Sequence, residues 1–374
     1  MYSRPVVSLF VAVAVVAGFG TAAHAQSTRN FVEIAGILWQ HSEFVGAMDL
    51  SPDRTRLVTV SRDETVRIWS YPSEEPLLVS TGHEGWVWSV DYSPDGSRIV
   101  TSSRDRTVRV WDAETGENVL TIETPDRNGR SAIPSTAEYS PDGSRILVAY
   151  YDNTARIFDA ETGELLASLD GHEAIVWTAI FTPDGSRVVT TSYDSTARIW
   201  DAESGEELSL LQHESLVTVA VISPDGQFVA TGSADATARL WHIASGAAIG
   251  TFEGHSQEVR AIAFSGDGRR LVTTSSDFTS RIWNVSTGEN VAILRVNTTE
   301  TVSAAYSNDG AFIVIASRIG EMSLWDGVTG ARIARMPGHT FSVNEIAFDI
   351  ENQRVITAGG DGYVLFWDIS PFIE

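Results

Sequence analysis

The sequence predicts an all-β protein, a closed ring of eight four-stranded antiparallel blades, and three observations carry that reading. First, an aromatic residue recurs at Trp69, Trp111, Phe158, Trp200, Trp241, Trp283, Trp325 and Trp367, spaced by 42, 47, 42, 41, 42, 42 and 42 residues. A fixed period of this length marks stacked supersecondary units, and at 374 residues a single conventional core is already disfavoured. Second, each unit reads as short strands parted by tight turns. Third, the two ends of the chain hold complementary parts of one unit.

The second unit shows the strand pattern. Val87–Tyr92 is rich in β-formers and stops at Ser93-Pro94-Asp95-Gly96, where Pro and Gly suit a tight turn. Ser97–Ser102 returns, Arg104-Asp105 turns, and Val108 and Val110 then alternate with Thr107 and Arg109 up to Trp111. Ala113-Glu114-Thr115-Gly116 turns again into a fourth strand, Asn118–Glu123. At the C-terminus only Ile369 to Glu374 follow Trp367-Asp368, too few for a turn and a strand. Phe31–Gln40 reads as a fourth strand without its first three. The N-terminal strand is therefore expected to complete the last blade, which removes an exposed sheet edge. The alternative is seven blades with one irregular unit. The 47-residue spacing comes from an insertion, Asp126-Arg127-Asn128-Gly129-Arg130, expected to form a surface loop.

Residues 1–25 differ from the rest in composition. Arg4 is followed by an apolar run from Val6 to Ala17, then by Ala23-His24-Ala25, a small-residue cleavage pattern. The expected organisation is a signal peptide over 1–25 and one propeller-like domain over 26–374, with export to the periplasm or the extracellular space. The alternative is that Val6–Ala23 stays as a membrane anchor. After cleavage no membrane insertion is expected.

Six units carry His, Thr, Asp and Trp in fixed order. These are His41/Thr59/Asp63/Trp69, His83/Thr101/Asp105/Trp111, His172/Thr190/Asp194/Trp200, His213/Thr231/Asp235/Trp241, His255/Thr273/Asp277/Trp283 and His339/Thr357/Asp361/Trp367. Asp follows the aromatic residue in five units, as in Trp111-Asp112, and Gly-His or Gln-His lies upstream. With these features the chain resembles the WD-repeat β-propeller family over residues 31–369. The resemblance implies a hydrogen-bonded tetrad in each of the six blades, running from Trp N–H to hydroxyl to imidazole to carboxylate. Blade 3 departs from the pattern, with Phe158, Asp152 and Val148 but no matching His. Blade 7 departs further, with Ile315 and Ile319 where Thr and Asp belong.

Hydroxyl, imidazole and carboxylate are also the parts of a nucleophilic triad. Six evenly spaced copies fit six struts better than one active site, so no catalytic residue is expected. The chain has no Cys and no Lys, and outside the tetrads and His24 only His242 remains among its eight histidines. Thiol, Schiff-base and thiolate–zinc chemistry are excluded, and no cofactor or metal is expected. The Pro-Asp-Gly turns lack the clustered acids of a calcium loop. A net charge of −23 repels nucleic acid and anionic membranes at long range.

What remains is a scaffold for a protein or peptide partner. The resemblance implies that partner contacts gather at the channel entrance, three and five residues after the His and one before the Asp. Those positions hold Phe44, Gly46 and Arg62 in blade 1, then Trp86, Trp88 and Arg104 in blade 2. Blade 3, aligned through its turns, supplies Ile133, Ser135 and Tyr151, and blade 4 supplies Ile175, Trp177 and Tyr193. Blades 5 to 8 supply Leu216, Thr218, Ala234, Glu258, Arg260, Ser276, Thr301, Ser303, Arg318, Ser342, Asn344 and Gly360. Large aromatics and Arg, the residues enriched among binding hot spots, concentrate on blades 1–4. The expected patch is Phe44, Arg62, Trp86, Trp88, Arg104, Tyr151, Ile175, Trp177 and Tyr193. Against it stands the reading in which Trp88 and Trp177 are blade-core residues. Two other functional classes stay open: a small-ligand or metal-binding propeller or an enzyme using only carboxylates at the channel mouth, and a purely structural role.

Overall fold

The computed structural model describes residues 31–373 apart from 124–125, 127–128 and 297–298. The expected signal peptide, 1–25, lies outside the described residues, as does part of the 126–130 insertion. Eight four-stranded antiparallel sheets follow one another along the chain, each a meander in sequence order except the last. Their first strands are Val45–Leu50, Val87–Tyr92, Pro134–Tyr139, Val176–Phe181, Val217–Ile222, Val259–Phe264, Thr301–Tyr306 and Val343–Asp349, in blades 1 to 8. Each first strand touches the first strand of both neighbours, and that of blade 8 touches that of blade 1. These strands wall a central channel.

Closure follows the complementarity of the chain ends. Glu33–Leu38 pairs antiparallel with Val364–Asp368, from Glu33 opposite Asp368 to Leu38 opposite Val364. It supplies the fourth strand of blade 8, so the ring has eight blades and the seven-bladed alternative falls. The core is divided the same way. Eight apolar clusters each join one blade to the next, including one between blades 8 and 1 built on Val45, Trp69, Ile356 and Phe366. A blade cannot bury its faces alone, so stability resides in the interfaces between blades.

One irregularity repeats in all eight blades and shapes the channel mouth. The register of the first and second strands slips at the second residue of the first strand, between Val87 and Ser89 in blade 2 and Val176 and Thr178 in blade 4. The same slip occurs in the other six. Such a bulge bends the strand and re-aims the extra side chain. The residues on it are Gly46, Trp88, Ser135, Trp177, Thr218, Arg260, Val302 and Asn344. In blade 7 this corrects the sequence reading by one residue. Arg318 N–H bonds the Glu300 carbonyl as Arg104 N–H bonds that of Trp86, so the mouth positions there are Glu300 and Val302, not Thr301 and Ser303. Blade 7 has no His from which to count.

Candidate functional site

The six His/Thr/Asp/Trp sets are each continuous hydrogen-bond chains. The Trp indole N–H donates to the Thr hydroxyl at 2.8–2.9 Å. That hydroxyl meets the imidazole Nε2 at 2.7–2.9 Å. Nδ1 in turn meets the carboxylate at 2.7–3.0 Å. Thr59, Thr101, Thr190, Thr231, Thr273 and Thr357 are all 0% exposed, and their hydroxyls are engaged on both sides. None of these six threonines therefore belongs to a surface that a partner or substrate could touch. Among the residues singled out in the sequence they stand apart from the mouth positions, because the second strand that carries each one runs through the middle of its blade. Burial opposes the charge on Asp63, Asp105, Asp194, Asp235, Asp277 and Asp361, yet hydrogen bonds from the imidazole, from a nearby Thr hydroxyl in all but Asp361 (the larger of the two at Asp277) and from backbone N–H groups outweigh it and hold these carboxyls below their ordinary range. Burial also lowers His41, His83 and His255, keeping those rings neutral. A hydroxyl so placed braces a blade and cannot act as a nucleophile.

The two irregular blades solve the same packing problem differently. In blade 3 the Arg156 guanidinium turns inward and pairs with Asp152, lying 4.5 Å from the Tyr150 ring centroid. Arginine stands two residues before the aromatic in six blades, but in the five that keep their tetrad a histidine already holds the Asp. In blade 7 the Trp325 indole N–H is buried without a hydrogen-bond partner, since Ile315 replaces the threonine. Trp325→Phe is therefore expected to cost no more than about 1 kcal/mol, while Trp111→Phe, which abandons the buried Thr101 hydroxyl, is expected to cost about 2–3 kcal/mol. Urea unfolding of the two variants checks the contrast.

At the channel mouth the expected patch residues gather into two groups. The Arg62 guanidinium lies between the Phe44 and Trp86 rings, 4.2 and 4.3 Å from their centroids, and Arg104 lies 4.6 Å from that of Trp86. Burial lowers the Arg62 pKa, with Glu43 opposing and Arg104 adding to the effect; the group remains charged. In the second group, Trp88 stacks on Tyr151 (6.1 Å, 25°), Tyr151 on Trp177 (6.2 Å, 23°) and Trp177 on Tyr193 (5.4 Å, 12°). This column of four rings crosses blades 2, 3 and 4. Bulges supply its tryptophans, and its tyrosines directly precede Asp152 of blade 3 and the tetrad Asp194 of blade 4. Trp88 is also tied down, its indole N–H donating to the Pro134 carbonyl at 2.9 Å. Both tryptophans are half-buried. Ile175 is half-buried beside the column, with its carbonyl accepting from Tyr193 N–H.

Several groups at the mouth and in the channel escaped the sequence reading. Phe341 on blade 8 and Phe278 on blade 6 are further exposed aromatic side chains, 63% and 44% exposed. Gly360, a mouth position already named from the sequence, leaves the space Phe44 occupies, for a Cβ there would come within 2.9 Å of the Phe44 ring. Deeper in the channel stand Glu345, Asp49, Asp91 and Glu138 on blades 8, 1, 2 and 3. Each accepts a backbone N–H from the next blade, those of Met48, Tyr92, Tyr139 and Phe181, at 2.6–2.8 Å. Glu138 is buried, while the other three are half-buried on the channel wall. Burial pushes Asp49 up to about 7 and Glu138 up to about 8, and raises Asp91 and Glu345 as well. At the positions matching Asp49, Asp91 and Glu138, blades 4 to 7 carry Ile180, Val221, Ala263 and Ala305. The cavity among the four acids is about 30 Å³, room for one water. Among the described residues no group of three or more His, Asp or Glu is arranged to hold a metal ion. No helix among them is long and apolar enough to cross a membrane.

Comparison with known proteins agrees with this geometry. The family model of the WD domain, G-beta repeat, matches residues 33–70, 74–112, 125–159, 163–201, 205–242, 246–284 and 330–368. The chain belongs to the WD-repeat family. The stretch these matches leave open, 285–329, contains the first three strands of blade 7, one of the two blades without a tetrad. Among solved structures, this WD-repeat chain is similar to the computationally designed Ika8 protein, with 25% identity and a TM-score of 0.78. The similarity covers 91% of this chain and 100% of that one. No curated protein matches. WD-repeat propellers are generally non-catalytic and commonly serve as scaffolds for protein partners.

Proposed function

We propose that this WD-repeat propeller is a non-catalytic scaffold of the periplasm or extracellular space, binding a protein or peptide through the channel-entrance face of blades 1–4. The observation that carries the reading is the stacked column Trp88–Tyr151–Trp177–Tyr193 beside the Phe44–Arg62–Trp86–Arg104 group. Aromatic side chains held by their neighbours lose little conformational freedom on binding and bring large contact areas. The composition of residues 1–25 supports export, and the acidic net charge argues against nucleic acid. Each channel carboxylate already accepts a backbone N–H with one oxygen, and the recess the four border is small, about 30 Å³, which favours binding at the mouth over carboxylate chemistry here.

Affinity capture from envelope and culture fractions of the native host tests this function. Wild-type protein is expected to retain a partner that a folded Trp86→Ala/Trp88→Ala/Arg104→Ala variant loses, since hot-spot truncations of this kind cost about 2–4 kcal/mol each. Equal retention by both proteins refutes the face, and no specific retention by either refutes the scaffold. Fractionation of the host, with N-terminal sequencing of the protein recovered, tests export; a start near Gln26 is the expected result, and an intact cytoplasmic chain refutes it.

A further inference from the structure

We propose that Arg62 and Arg104 form a clamp for a side-chain carboxylate, so that the partner docks through an acidic linear segment whose apolar part lies along the Trp88–Tyr193 column. The inference rests on the binding face proposed above and names the chemistry of its occupant. Four of the mouth positions carry arginine: Arg62, Arg104, Arg260 and Arg318. The two on blades 6 and 7 are neutralised within their own blades, Arg260 by Glu258 at 3.0 Å and Arg318 by Glu300 at 2.8 Å. Arg260 also donates to Ser276 at 2.9 Å. Arg62 and Arg104 form no ion pair among the described residues, and Glu43 is near enough to act on Arg62 only through its field.

That pair of unneutralised cations stands out in a chain with 49 acidic and 26 basic residues. Arg62 is partly desolvated, lying between two rings, and both guanidinium groups lie against the same indole. The rings stand within 4.3 Å of the Arg62 guanidinium carbon and provide none of the acceptors its N–H groups require. A guanidinium packed against aromatic rings has lost much of its rotamer freedom before binding and keeps its N–H donors for a partner, and a carboxylate takes them by paired hydrogen bonds. The surrounding negative charge selects for local placement: an acidic segment meets attraction at this clamp and repulsion elsewhere on the body, which fixes its register.

Selection from a displayed library of random peptides of about 12 residues, with purified protein as the target, tests the clamp. Asp and Glu are expected to be enriched in the selected peptides. In the tightest of them, synthesised with a blocked N-terminus and an amidated C-terminus, Glu→Gln or Asp→Asn at the enriched position is expected to weaken binding at least about tenfold. An Arg62→Gln/Arg104→Gln variant is expected to bind the acid and amide forms alike. Arg104→Gln alone, at an exposed residue, gives the same direction should the double variant fold poorly. A Trp177→Ala/Tyr193→Ala variant separates this inference from the binding face, for it should lose both forms. Selected peptides without acidic bias, or acid and amide forms that bind wild type equally, overturn the clamp while leaving the face. A phosphoserine form that binds tightly while the acid form binds no better than the amide also overturns it, in favour of a phosphate. No enrichment of any peptide overturns clamp and peptide-binding face together.

Discussion

Replacing Arg156 with alanine is expected to destabilise the protein by about 3–5 kcal/mol, the cost of leaving one member of a buried ion pair without its partner. The Asp152 side chain is fully buried and that of Arg156 is 5% exposed. Asp152 also accepts a hydrogen bond from the Thr154 hydroxyl at 2.7 Å, which cannot replace the lost charge. The matching arginine of blade 2 provides the control. Arg109→Ala leaves Asp105 hydrogen-bonded to His83 at 2.7 Å, so its expected cost is below about 1 kcal/mol. A double Arg156→Met/Asp152→Ala variant should recover at least about 2 kcal/mol relative to Arg156→Ala, since the stranded charge is gone. Denaturant unfolding of the three variants at neutral pH decides the matter. Equal costs for Arg156→Ala and Arg109→Ala would show that the blade 3 pair carries no special load.

Stability is expected to fall as the pH rises from about 6.5 to about 8.5, and Glu138→Gln is expected to flatten that fall. Glu138 titrates near 4.5 when unfolded and near 8 when folded, so between those values the folded state holds a proton that the unfolded state has released. Raising the pH therefore favours unfolding, and the contribution fully present below 4.5 is lost as the pH passes through about 8. Asp91 acts in the same direction, raised by burial and by the nearby charges of Asp49, Glu138 and Glu345. Two other sets of groups act in the opposite direction, but at lower pH. The tetrad aspartates, with depressed pKa values, lose their contribution only in acid, below the ordinary 3.8. The lowered histidines His41, His83 and His255 act below 6.5 and are silent above it. The window above 6.5 thus isolates the channel acids. Glutamine keeps an oxygen for the Phe181 N–H at 2.6 Å and never ionises, so at about pH 8.5 the variant should be more stable than wild type by roughly 1–3 kcal/mol. Melting curves across this window check the sign. A variant no more stable than wild type at the alkaline end would show that Glu138 is ionised at neutral pH.

The repeat, the blade count and the closure were legible in the sequence because they depend on period and composition alone. A Trp every 42 residues, the Pro-Asp-Gly turns and an orphan strand at Phe31–Gln40 define the ring without any coordinates. The tetrads were legible too, since each links residues at constant offsets and the hydrogen-bonding roles of Trp, Thr, His and Asp permit one order. The mouth positions were countable wherever a His marked the start; of the two blades without one, blade 3, aligned through its turns, kept the pattern with Tyr151 N–H on the Ile133 carbonyl, and blade 7 slipped by one.

Tertiary structure decided whatever depends on contacts between blades. No spacing in the chain says that Tyr151 of blade 3 stacks between Trp88 of blade 2 and Trp177 of blade 4, because the bulge that aims each tryptophan appears only when two strands pair out of step. Nothing local distinguishes Arg156 from Arg109; the absence of a His in its own blade turns one inward to its Asp while the other stays beside a satisfied one. Asp49 and Glu138 read as ordinary polar residues in a strand until the ring places each against the backbone of the next blade. Side-chain identity is written along the chain, whereas burial and pairing are properties of the closed ring, and these set the charge state of an acid and the availability of an arginine.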